Sequence, residues 1–105
     1  MYKTIEILLA DDHEIFRDGF NLLLKKNTEI KLIGEAPNGK ELLRLAHKLK
    51  PDVIITDIQM PVMDGITAIR LLSRELPQIG IIALSMYNEE NEIIEALEAG
   101  AKGYL

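Results

Sequence analysis

The segment DVIITD, Asp52-Val53-Ile54-Ile55-Thr56-Asp57, sets four consecutive β-branched residues between two acids. Its length and β-branched content favour a strand over a helix. The run does not alternate apolar with polar, so both faces of the strand are expected to be buried, as in a parallel sheet covered by helices. The strand ends in Asp57, a carboxylic acid at the mouth of an apolar run.

The same kind of run recurs along the chain. IEILLA (Ile5–Ala10), IKLIGEA (Ile30–Ala36), GIIALS (residues 80–85) and the terminal GYL all read as strands. Four segments of helical periodicity lie between them. The first places Phe16, Phe20, Leu23 and Leu24 on one face. The second, NGKELLRLAHKL, stacks Leu42, Leu45 and Leu49 and stops before Pro51. The third starts after Asp64, an N-cap, and turns Ile66, Ile69 and Leu72 or Leu76 inward. The fourth, EENEIIEALEAG, points Ile93, Ile94 and Leu97 inward and stops at Gly100. Strict strand-helix alternation with right-handed crossovers gives a doubly wound α/β fold. In such sheets the working crevice lies at the carboxyl ends of the strands.

Composition narrows the function. The chain has 105 residues, 48% of them apolar, which suits one domain with one core. Its formal net charge is −5 and it has no cluster of Lys and Arg, which disfavours direct binding to nucleic acid or an anionic membrane. There is no cysteine, hence no disulfide, thiolate zinc site or cysteine nucleophile. The amino end carries acids too early for a secretory signal, and no apolar run is long enough to span a bilayer. A soluble cytoplasmic domain is expected.

LLADDHE (residues 8–14) repeats the motif of an acid at a strand end, here doubled as Asp11 and Asp12. Two like charges about 4 Å apart repel by roughly 4 kcal/mol at an effective dielectric near 20. If strands one, three and four are neighbours, Asp11, Asp12, Asp57 and Ser85 converge on one edge of the sheet. The simplest partner for three convergent carboxylates is a hard divalent cation such as Mg²⁺, which takes oxygen ligands and commonly sits beside a phosphate. The Ser85 hydroxyl can donate to a phosphoryl oxygen. No Gly-rich phosphate loop is present. Taken singly, Asp12 reads as a helix N-cap and Ser85 as a turn residue. Their common edge is what favours a site.

The segment DVIITDIQMPVMDG (residues 52–65) resembles the phosphoacceptor segment of response-regulator receiver domains from two-component systems. The acid pair, the ALS strand end and GAKGYL match the family in order and spacing, and the likeness covers the whole chain. ADDH, GEAPNGKELL and LSMYNEE are most similar to the NarL/FixJ (LuxR-type) subfamily, whose members usually carry a helix-turn-helix output domain after the receiver. The resemblance implies a five-stranded parallel sheet of order 2-1-3-4-5 over residues 1–105. It makes Asp57 the phosphoacceptor, with Mg²⁺ ligated by Asp12, Asp57 and the Gln59 backbone carbonyl, and by Asp11 through a water. Ser85 hydrogen-bonds the phosphoryl group, and Tyr104 is the switch aromatic that turns inward with it. Gln59 and Tyr87 line the phosphoryl pocket, where a bulky Tyr87 slows dephosphorylation by water.

The implied partners are a sensor histidine kinase, a second copy on phosphorylation, and DNA through an output domain absent from this sequence. No enzymatic turnover beyond self-phosphorylation and dephosphorylation is implied. An aspartyl-phosphate phosphatase would carry a second Asp two residues after the nucleophile, where this chain has Gln59. The family lysine after the fifth strand falls about two residues past Leu105, since Lys102 sits in the preceding turn. The chain thus reads as a receiver truncated before its fifth helix, with one sheet face incompletely covered. The alternative is a phosphorylation-independent interaction module. His13 and His47 read as solvated helix residues, Met60 and Met63 as packing, Pro61 as setting chain direction, and Gly65 as supplying conformational freedom.

Overall fold

Five parallel strands pair in the order β2-β1-β3-β4-β5: β1 (Ile5–Ala10), β2 (Ile30–Ala36), β3 (Val53–Asp57), β4 (Gly80–Leu84) and β5 (Gly103–Tyr104). The computed structural model describes residues 4–11, 13, 18–19, 22, 29–84 and 90–104. Of the first expected helix, residues 18–19 and 22 are described and helical, whereas Phe16, Phe20, Leu23 and Leu24 lie outside the described residues. The other three are α1 (Gly39–Leu49), α2 (Gly65–Glu75) and α3 (Glu90–Ala99).

The register of the central strands explains the continuous apolar runs. Leu8 pairs with Ile54, which pairs with Ile81; one step on, Leu9, Ile55 and Ile82 align. Alternate rows point to opposite faces. Leu8, Ile54 and Ile81 enter the larger core with Leu42 and Ala46 of α1, Ala68, Ile69 and Leu72 of α2, and Ala96 and Ala99 of α3. Leu9, Ile55, Ile7 and Leu84 form a smaller cluster on the other face. Each fully buried Leu or Ile contributes about 1.5–3 kcal/mol relative to exposure. A strand with one polar face would forfeit half of this.

The starts of α1 and α2 have side-chain caps. Asn38 Oδ1 accepts from Glu41 N at 2.9 Å, and Asp64 Oδ1 accepts from Thr67 N at 2.8 Å. Each satisfies one of the amides that a helix start leaves without an intrahelical partner. In α1 the buried stripe is Gly39, Leu42 and Ala46, while Leu45 and Leu49 are only half-buried.

The inward face of α3 differs from the expected one. Ile94 is 46% and Leu97 41% exposed, whereas Ala96 and Ala99 are buried. Small residues let α3 lie close to α2, and a Cβ added at Gly100 would meet Ser73 Oγ at 1.9 Å. Close approach therefore decided which face packs, and the larger side chains were turned out. Gly100 does end the helix, with φ of +130° and its N–H donating to Ala96 O and Leu97 O.

Lys50 closes α1 in the left-handed region at φ 48°, its N–H donating to Ala46 O. A side chain there costs roughly 1–2 kcal/mol, and glycine in turn adds unfolded-state entropy of about 0.5–1 kcal/mol. Lys50→Gly should accordingly stabilise the domain by about 0.5–1 kcal/mol. A urea midpoint that does not rise would contradict this assignment of strain.

Candidate metal and phosphoacceptor site

Two acids are brought together by strand register. Ala10 of β1 pairs with Thr56 of β3, so Asp11 and Asp57 follow side by side at the carboxyl edge. Both are enclosed, Asp11 at 0% and Asp57 at 2% exposure. Asp11 N donates to Ala36 O at 2.9 Å, and Ile58 N donates to Leu84 O at 3.2 Å, so neighbouring strands hold the chain on both sides of the pair.

Each carboxylate is oriented by a nearby backbone amide. Asp11 Oδ1 accepts from His13 N at 2.6 Å, and Asp57 Oδ1 accepts from Gln59 N at 3.0 Å. Both are turns in which an Asp side chain binds the backbone two residues on. His13 Nδ1 lies 2.8 Å from Asp11 Oδ1 and 3.7 Å from Asp57 Oδ2, so the imidazole sits over both acids. His13 is exposed, as expected, but it stands outside any helix and forms part of the site's rim, held there by its bonds to Asp11. Its spacing of two from Asp11 was the available signal.

Ligand atoms of Asp11, His13 and Asp57 all lie within 4.8 Å of one another. At that separation two ionised carboxylates repel by about 3 kcal/mol. Asp11 Oδ2 is buried and has no hydrogen-bond partner among the described residues. A buried anionic oxygen in that position is costly unless a cation or donor reaches it. The donor set fits a hard divalent ion: two carboxylates on a rigid sheet edge, with the Gln59 backbone nearby.

The loop after β3 is shaped by contact rather than by freedom at glycine. A Cβ at Gly65 would meet the carbonyl oxygen of Asp57 at 1.9 Å, and Gly65 N donates to Ile58 O. Gly65 is thus required by close approach to the Asp57 backbone. The positive φ in this loop is at Val62, at 69°, rather than at Gly65. Met63 O accepts from Gly39 N, tying the loop to the start of α1. Met60 is buried and Met63 half-buried in the core, in keeping with a packing role.

Tyr104 stands in β5 beside Ala83 of β4 and is 48% exposed. Lys102 is exposed in the turn before it, its N–H donating to Ile81 O. Asp12, Ser85 and Tyr87 lie outside the described residues. His47 Nε2 lies 2.6 Å from Glu75 Oε1, an exposed pair between α1 and α2, away from the carboxylates. One contact had no local signal in the sequence: Gln59 Nε2 donates to Glu92 Oε1 at 2.7 Å, across 33 positions.

The family model described as response regulator receiver domain matches residues 7–105. The chain is 46% identical over 100 residues to the transcriptional regulatory protein YdfI of Bacillus subtilis, covering 95% of this chain and 46% of YdfI. It is 40% identical over 102 residues to the response regulator VraR of Staphylococcus aureus, covering 97% of this chain and 49% of VraR. The chain thus spans about half the length of these curated relatives. The receiver domain of the response regulator NarL from Mycobacterium tuberculosis superposes with a TM-score of 0.92 at 29% identity, over 98% of this chain and 83% of that one. Among the described residues, no helix is long and apolar enough to cross a membrane.

Two substitutions test this geometry. Asp11→Asn keeps the Oδ1 acceptor for His13 and removes one charge. It should weaken Mg²⁺ binding by about tenfold or more while leaving the metal-free domain as stable or about 1 kcal/mol more stable. Loss of fold without metal would show that Asp11 serves structure alone. Gly65→Ala should cost about 2–3 kcal/mol by urea unfolding, because the methyl collides with backbone. A neutral result would mean that the loop readily moves off Asp57.

Proposed function

The chain belongs to the response-regulator receiver domain family, and from that premise we propose that it is the phosphoacceptor switch of a two-component system. The observation that carries this reading is the buried Asp57 at the end of β3, with Asp11 beside it on β1. Asp57 takes a phosphoryl group from the phosphohistidine of a sensor kinase. A carboxylate oxygen forms the new bond to phosphorus as the phosphorus–nitrogen bond breaks, and the electron pair leaves on the imidazole. Little covalent chemistry is asked of the protein beyond alignment and charge control.

The named residues supply both. The Gln59 amide fixes the rotation of the Asp57 carboxylate through Oδ1. The sheet edge excludes water from its base, where Thr56 is fully buried. Asp11, Asp12, Asp57 and the Gln59 carbonyl are the groups that would hold Mg²⁺. When bound, the ion supplies charge neutralisation for the incoming phosphoryl group. Ser85 donates to the phosphoryl oxygen, and Tyr104, exposed in this state, moves inward as that hydroxyl is drawn across. Phosphorylation then shifts a pre-existing equilibrium between two conformations.

Residues 1–105 form the receiver, and the relatives' greater length accommodates an output domain elsewhere. That output is a helix-turn-helix contact with DNA, used as a homodimer in the cytoplasm to control transcription. The domain acts on itself only. With Gln59 in place of a second acid, it does not turn over substrate phosphate.

Intact-mass measurement after incubation with Mg²⁺ and a small phosphodonor should show a single phosphoryl adduct that Asp57→Asn abolishes. An adduct that persists in Asp57→Asn, or none in the full-length protein, would falsify the proposal and leave an interaction module. Tyr87→Ala should lose the phosphoryl group faster than wild type. An unchanged half-life would remove Tyr87 from the pocket.

A further inference from the structure

Gln59 joins two parts of the fold that the backbone does not. Its main-chain N–H holds Asp57 Oδ1, and its side-chain amide is committed to Glu92 Oε1 at 2.7 Å. Glu92 lies in the first turn of α3 and is half-buried. Its second oxygen, Oε2, is enclosed and has no hydrogen-bond partner among the described residues. The carboxylate thus reaches Gln59 through one oxygen while the other is shut away from water. Hydrogen bonds to an ionised acceptor are roughly twice as strong as neutral ones. The Gln59 side chain is otherwise exposed, so Glu92 is what fixes its direction.

A glutamine amide free to turn beside a phosphoryl group has a chemical use, since it can orient an attacking water. In hydrolysis of the Asp57 acyl phosphate, the water oxygen bonds to phosphorus as the bond from phosphorus to the Asp57 oxygen breaks. The electron pair returns to the carboxylate, and both water protons leave on dihydrogen phosphate. An amide tied to Glu92 is withheld from that water. We infer that Glu92 is a positioning residue that prolongs the phosphorylated state by holding the Gln59 amide away from the attacking water. This rests on the phosphoacceptor reading above. The same residue links the start of α3 to Asp57, through its main-chain N–H on one side and its side-chain amide on the other.

The test compares wild type, Glu92→Ala, Glu92→Gln, Gln59→Leu and Gln59→Leu/Glu92→Ala in the full-length protein. Each is phosphorylated with a small phosphodonor and Mg²⁺, the donor is removed, and loss of the adduct is followed by intact mass. Glu92→Ala should shorten the lifetime about three- to tenfold, the scale of one competing intramolecular hydrogen bond. Glu92→Gln keeps an acceptor oxygen and should stay within about twofold of wild type. Adding Glu92→Ala to Gln59→Leu should change nothing, since the amide is already gone. The inference is overturned if Glu92→Ala has the wild-type lifetime, if Glu92→Gln decays as fast as Glu92→Ala, or if the effect of Glu92→Ala survives in Gln59→Leu. Failure to form any adduct in wild type overturns the phosphoacceptor reading and this inference with it. Adducts of unchanged lifetime overturn only the role given to Glu92.

Discussion

Two buried carboxylates forced side by side are the constraint around which this domain is arranged. Asp11 and Asp57 follow the paired residues Ala10 and Thr56 on adjacent parallel strands, and neither can retreat into solvent without breaking that register. Their repulsion, about 3 kcal/mol if both are ionised, is tolerated because the strands beneath them are held by apolar burial on two faces. A site held this way favours added positive charge.

The surroundings of Asp57 hold its backbone in place. Gly65 N–H closes on Ile58 O, and the missing Gly65 side chain lets α2 start against the Asp57 carbonyl. Asp64 caps that helix, and Met63 O is taken by Gly39 N of α1. The loop therefore fastens the Asp57 backbone to two helices, and the Gln59–Glu92 contact adds a third through a side chain. That third link depends on a single side-chain hydrogen bond.

Much of the fold was legible in the sequence for a simple reason. A strand buried on both faces must be apolar along its buried stretch, and ILLA of β1, VII of β3 and IIAL of β4 meet that requirement without long-range information. Helix caps are equally local, as Asn38 and Asp64 show. The face of α3 was not legible. Hydrophobic periodicity favoured Ile94 and Leu97, but the spacing between α2 and α3 admitted only Ala96, Ala99 and Gly100. Periodicity reports which residues prefer burial, whereas interhelical distance decides which ones fit. Gly65 makes the same point, since its spacing marked it as special but only the Asp57 carbonyl beside it gives the cause.

The sequence by itself determined the element order, the apolar central strands, the acids at their carboxyl ends and the family motif around Asp57, because each is written in neighbouring residues. Only the tertiary structure decided that Asp11 and Asp57 lie within 4.8 Å, that His13 covers them, and that Glu92 reaches Gln59. Those relations join residues far apart in the chain, or turn on side-chain direction. Strand register and helix packing set them, and no local pattern encodes either.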